Sequence, residues 1–154
     1  MEEFRLVETK KHKKPTDRIK VNANFRTYYK EHKDKYNNRH TDPRYVYNTI
    51  KHSSKVRSIE INITREEFIT WYNNQPKVCS YCKRPEEVCI KDILNRRKHR
   101  RLNIDRINNN KGYELDNICL ACNVCNAVKG KFISAEQMIE IGKTIAKESV
   151  GVSS

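Results

Sequence analysis

Cys79-Ser80-Tyr81-Cys82 and Cys122-Asn123-Val124-Cys125 are the two stretches of this chain whose reading decides the fold. Each Cys-x-x-Cys turn can present two thiolates to one tetrahedral ion, and a pair of such knuckles is the ligand pattern of structural zinc. Buried apolar cysteines without a metal are the alternative. Cys119 and Cys122 repeat the same spacing, so a register that uses Cys119 and leaves Cys125 free is open on spacing alone. Cys89, and Cys119 in the first register, read as small hydrophobes, with Cys89 a substitute ligand if the spacing misleads. A closed four-sulfur site has no position for water, so this zinc holds structure; its binding should contribute on the order of 10 kcal/mol to folding.

Between the knuckles, Leu102-Asn103-Ile104-Asp105-Arg106-Ile107 has the alternation of a short strand. The turn-rich Asn108-Asn109-Asn110-Lys111-Gly112 follows, and Ile118 and Leu120 suggest a second strand. Asn126-Ala127-Val128-Lys129 then opens a helix. The order is strand, loop, strand, helix.

Upstream, Thr64-Arg65-Glu66-Glu67 is a capping box for a helix that shows Phe68, Trp71 and Tyr72 to a core and stops before Pro76. Ile59, Ile61 and Ile63 alternate with polar residues as in a half-buried strand. Asp42 before Pro43 caps a helix expected to reach about Val56, with Val46 and Ile50 on its apolar face. Phe25, Tyr28, His32 and Tyr36 predict a helix over residues 24–36 whose aromatic stripe faces a core. Downstream, Ser134 and Gln137 start a last helix with Met138, Ile141 and Ile145 on one side. The fold class expected is α+β: basic N-terminal helices, a zinc-bound hairpin-and-helix unit, and a closing C-terminal helix. The divisions are a loosely ordered basic arm at 1–23 containing Lys10, Lys11, Lys13 and Lys14, a helical support region at 24–76, a zinc-bound domain at 77–149 and a tail at 150–154.

Thirty-two Lys and Arg against nineteen Asp and Glu give a formal charge of +13. That balance is the footprint of a polyanion binder, nucleic acid first among them. No stretch approaches the roughly 20 apolar residues that cross a bilayer, and the first residues lack the apolar run of a secretion signal. We therefore expect an intracellular protein without a membrane partner, where reducing conditions favour zinc over disulfides.

Asp105 in a strand, Asn117 after the loop and Cys122-x-x-Cys125-Asn126-x-x-Lys129 resemble the HNH endonucleases and their ββα-metal fold. The resemblance covers about residues 79 to 133 and, more loosely, Tyr45 to Pro76, whose layout is similar to phage and viral HNH chains. It implies the Cys122 and Cys125 register, because the family's knuckle directly precedes a metal-binding Asn. It also implies that Asp105 and Asn126 hold a catalytic Mg²⁺ or Mn²⁺ on the scissile phosphate, hard oxygen ligands being suited to such ions. Asn117 would fix the loop by hydrogen bonds.

The chain departs from the family at Arg106, where a general-base His is usual. Arginine stays protonated and cannot accept a proton. A hydroxide at the metal, a base from elsewhere or the substrate itself would then serve, with Arg106 clamping the phosphate. Lys129, Lys131 and the strip Arg96, Arg97, Lys98, Arg100 and Arg101, with His99 inside it, are expected to bind backbone phosphates. The function the resemblance implies is metal-dependent hydrolysis of DNA, expected to be duplex, leaving 5′-phosphate and 3′-hydroxyl ends.

 A zinc-stabilised module that binds DNA or RNA without cutting it is the competing reading, which Arg106 favours. A structural zinc protein of a ribosome-like assembly would explain the charge and the cysteines, but not the placement of Asp105 and Asn126.

Overall fold

The computed structural model describes residues 24–32, 39–92 and 99–148; the basic arm at 1–23, the tail at 150–154 and Arg96, Arg97 and Lys98 lie outside the described residues. The chain divides into two compact units between Tyr36 and Asn37.

In the first unit, α1 covers residues 24–31. Tyr28 and His32, one turn apart, stack with ring centroids 4.1 Å apart. Of the stripe expected to face a core, Phe25 is 55% and Tyr28 47% exposed, His32 is half-buried, and Tyr36 lies outside the described residues.

The second unit begins with α2 (Pro43–Arg57), where the Asp42 carboxylate accepts from the Arg44 N–H at 2.8 Å and Pro43 opens the first turn. The helix ends on Ser58 in the left-handed region. Residues 59–63 keep the alternation read from the sequence, with Ile63 buried, Ile59 and Ile61 half-buried and Ser58, Glu60 and Asn62 exposed. They do not form the expected strand. Their pairing is the single parallel bridge Ile61–Tyr113, because the chain turns at Thr64 into the next helix before a ladder can extend. In α3 (Arg65–Asn74) the capping box is complete: the Glu67 N–H donates to the Thr64 hydroxyl oxygen, and the Thr64 N–H donates to the Glu67 carboxylate at 2.8 Å.

After the first knuckle comes α4 (Glu86–Lys91), a six-residue helix without an apolar period long enough to announce it. The hairpin pairs β1 (Asn103–Arg106) with β2 (Ile118–Ala121) antiparallel, Asp105 opposite Cys119, and a 3₁₀ turn at Leu115–Asn117 leads into β2. Then follow α5 (Asn123–Lys129) and the closing α6 (Ala135–Glu148). The architecture is α+β.

One core joins these elements, with Val46, Phe68, Leu102, Cys79, Cys125 and Met138 all nearly or fully excluded from solvent. It crosses the division expected at 76/77, so α2 and α3 share a core with the cysteine-bearing segment. Gly142 lets α6 lie directly on the first knuckle: a Cβ there would stand 2.6 Å from the Tyr81 carbonyl oxygen.

Candidate active site

The Sγ atoms of Cys79, Cys82, Cys122 and Cys125 all lie within 4.8 Å of one another, and all four residues are buried. A zinc–sulfur bond of about 2.3 Å puts tetrahedral sulfurs about 3.8 Å apart. The Cys82 and Cys122 sulfurs are 3.9 Å apart, which fits that ion and is far too long for a disulfide. Backbone N–H groups of Cys122 and Cys125 donate to the sulfurs of Cys79 and Cys122, each at 3.3 Å, so the knuckles are formed for thiolates. Cys119 is outside the cluster: its thiol meets the Tyr81 hydroxyl at 3.5 Å.

Sulfur–sulfur hydrogen bonding splits the four thiols. Cys82 and Cys122 are held well below the ordinary thiol range, chiefly by Cys122 and Cys125 respectively. Cys79 and Cys125 are pushed up, chiefly by Cys122. Cys79 and Cys125 therefore keep their protons unless a cation replaces them, as a bound zinc would. The buried Arg84 guanidinium adds positive charge beside the sulfurs, its Nε 3.4 Å from Cys82 Sγ and its Nη1 2.5 Å from Asp92.

Next to this closed site is an open cleft of about 950 Å³ lined by Asp105, Asn126, Arg57, Arg106, Lys111 and Lys131, among others. Both of the oxygen-bearing residues expected to hold a divalent ion face it. Asn126 follows Cys125 directly, so the second knuckle sets its position. Asp105 Oδ2 accepts from the Tyr81 hydroxyl at 2.6 Å, and Tyr81 belongs to the first knuckle. Burial first, and the bond to Asp105 next, push the Tyr81 phenol far above its ordinary range, so it stays protonated and donates. Each knuckle thus fixes one residue of the cleft.

Lys129 differs from its expected place on a phosphate. It is 1% exposed, and its ammonium turns inward to Asp105 Oδ2 at 3.1 Å and the Arg106 carbonyl oxygen at 2.7 Å. An ammonium on the inner face of α5 is satisfied there by a carboxylate and a carbonyl, which leaves nothing of it at the surface. Arg106 donates from Nη1 to the carbonyl oxygens of Asn109 at 2.8 Å and Lys111 at 2.6 Å, and lies 5.7 Å from the Tyr113 ring centre. Its guanidinium ties the hairpin loop while lining the cleft.

Asn117, 3% exposed, bonds the same loop three ways. Its Oδ1 accepts from the Asn108 N–H at 2.8 Å, and its Nδ2 donates to the carbonyl oxygens of Asn108 at 3.1 Å and Gly112 at 2.8 Å. Lys131 is exposed on the cleft wall. Of the basic strip, Arg100 is exposed, while half-buried Arg101 donates to the Leu102 carbonyl oxygen at 2.8 Å; neither lines this cleft.

Three contributors escaped the sequence reading, among them Lys111, which the sequence marks only as part of the loop. Tyr81 carries no signal beyond lying between two cysteines. Arg57, at the end of α2, reaches the cleft through a 2.9 Å bond to the Tyr113 hydroxyl, a contact across 56 residues that no local pattern announces.

No family model matches the chain. An uncharacterized protein of Acanthamoeba polyphaga mimivirus is 32% identical over 124 residues, a match that takes in 75% of this chain and 21% of that protein. The chain thus spans about a fifth of the length of this relative. Among solved structures, the rare-cutting HNH restriction endonuclease PacI superposes with a TM-score of 0.59 and 26% identity, over 67% of this chain and 75% of its own. The fold is HNH-like. In this HNH-like unit the two knuckles bracket the hairpin, the second forming the N-cap and first turn of α5, and the residues at its cleft include Asp105, Arg106 and Asn126.

Proposed function

We propose that this chain is a divalent-cation-dependent endonuclease that hydrolyses phosphodiester bonds of duplex DNA in the Asp105 cleft. The observation that carries the reading is that Asp105 and Asn126, each fixed by a different knuckle, line one cleft with four cations on its wall, Arg57, Arg106, Lys111 and Lys131. The likeness to an HNH restriction endonuclease supports it. A carboxylate and an amide oxygen suit magnesium or manganese, which when bound would polarise the phosphoryl oxygen and stabilise the leaving 3′-oxygen.

The chain's own residues do the rest. Arg57, Lys111 and Lys131 draw the phosphate backbone into the cleft, and Arg106 stabilises charge developing on the phosphate. Tyr81 and Lys129 orient the Asp105 carboxylate through Oδ2. The four-cysteine zinc site has no open position and takes no part in the chemistry.

The test is cleavage of supercoiled plasmid by the zinc-loaded chain with Mg²⁺ or Mn²⁺ added, beside Asp105→Asn, Asn126→Ala and Arg106→His. Nicking by the parent that falls at least a hundredfold in both Asp105→Asn and Asn126→Ala supports the proposal. Arg106 favours a second reading, a binding module without cleavage. Its signature is no nicking by the parent and cleavage gained in Arg106→His.

A further inference from the structure

Beyond the cleft, α5 ends at Gly130 and the chain turns through residues 131–134 into α6. Both ends of this turn are fixed. Lys129 is buried in its ion pair, its carbonyl oxygen accepts from the Ile133 N–H at 3.2 Å, and the Ser134 hydroxyl oxygen caps α6 by accepting from the Gln137 N–H at 3.2 Å. Ile133 packs against the core, and Phe132 between these anchors is 96% exposed. A benzyl group held out on a short anchored turn takes no part in packing among the described residues.

Phe132 forms part of a second, smaller cleft of about 310 Å³ that it shares with Ile107 and the loop at Asn108 to Asn110. Asn109, Asn110 and Lys131 line both clefts, so the ring stands beyond the wall of the one that contains Asp105. A backbone phosphate attracted to Lys131 would bring the bases joined to it within reach of an apolar ring. Apolar side chains beside cations are the groups that enter a base step, unstack it and kink the duplex.

We propose that Phe132 is a wedge that inserts between adjacent base pairs of duplex DNA whose phosphates occupy the Asp105 cleft. The inference rests on the reading of that cleft as a DNA site. It assigns Phe132 a share in affinity and in DNA distortion, separate from hydrolysis.

The experiment uses the zinc-loaded full chain without Mg²⁺ or Mn²⁺, so that binding is read without cleavage. Parent, Phe132→Ala and Phe132→Trp are compared for duplex affinity across a salt series, and for the linking-number change left in closed circular plasmid relaxed by a topoisomerase in their presence. The exposed site predicts unchanged thermal stability in both variants. Phe132→Ala should bind about tenfold more weakly with the same salt slope, and should lose the linking-number change. Phe132→Trp should keep that change and show fluorescence quenched by DNA beyond the parent's Trp71 signal.

Equal affinity and equal linking-number change in parent and Phe132→Ala overturn the wedge while leaving the DNA site standing. Self-association of the parent that Phe132→Ala abolishes, with DNA binding unaltered, overturns it in favour of a second copy as the occupant. A parent that binds no duplex overturns both this inference and the reading on which it rests.

Discussion

The two centres of the second unit are neighbours built on opposite principles. The sulfur cluster is closed, buried on all four ligands and made of soft donors, so a metal there would be spent on holding the chain together. The Asp105 cleft is open, lined with oxygen and nitrogen groups, and has room for a phosphate and its water. Tyr81 and the Cys125–Asn126 peptide join them: one knuckle residue donates to Asp105, and the residue after the other knuckle faces the cleft. The closed sulfur site thus positions residues of the open cleft beside it.

The largest effect that separates the two centres should come from the sulfurs. Chelation of zinc, or Cys125→Ala, should remove on the order of 10 kcal/mol from folding and abolish the unfolding transition. Circular dichroism with zinc content measured in parallel checks this; a folded, zinc-free chain would break the division of labour. Acid should act in the same direction. Protons compete with zinc for the four sulfurs, so the stabilisation that zinc supplies is lost as pH falls. Zinc release should accompany that loss in an acid titration.

At the cleft, the buried pair of Asp105 and Lys129 should respond asymmetrically. Asp105→Asn leaves an ammonium with no exposed side-chain surface and no counter-charge, at a cost of about 3 kcal/mol. Lys129→Met leaves a carboxylate that keeps the Tyr81 bond and some solvent, and should cost less. Urea unfolding of the zinc-loaded variants orders the two, and the reverse order would show that Lys129 is not the more dependent partner.

Asn117→Ala should cost about 2 kcal/mol by leaving the loop's backbone groups unpaired. The smallest effect should be Thr64→Ala, about 1 kcal/mol, because it removes one solvent-exposed helix cap. Denaturant midpoints distinguish the two.

What local spacing specifies was legible in the sequence: the capping box at Thr64, the Asp42–Pro43 start, the Cys-x-x-Cys pairs and the hairpin between them. What depended on long-range geometry was not. The alternation at Ile59 to Ile63 is real, yet whether it becomes a ladder depends on a partner, and Tyr113 supplies a single bridge. Lys129 reads as one more surface cation until the inward face of α5 is known, when it becomes the partner of Asp105. Arg57, Tyr81 and Phe132 acquire meaning through residues distant in the chain or through exposure, neither of which a spacing records.

The proposed oxygen-ligand metal site at Asp105 is distinct from the sulfurs. Manganese binding to the zinc-loaded chain, followed by the loss of the free Mn²⁺ resonance signal while zinc content is assayed in the same samples, tests it most directly. Saturable binding by the parent is expected, abolished in Asp105→Asn, with zinc retained in both. Equal manganese binding by Asp105→Asn, or manganese taken up only as zinc is lost, would contradict it.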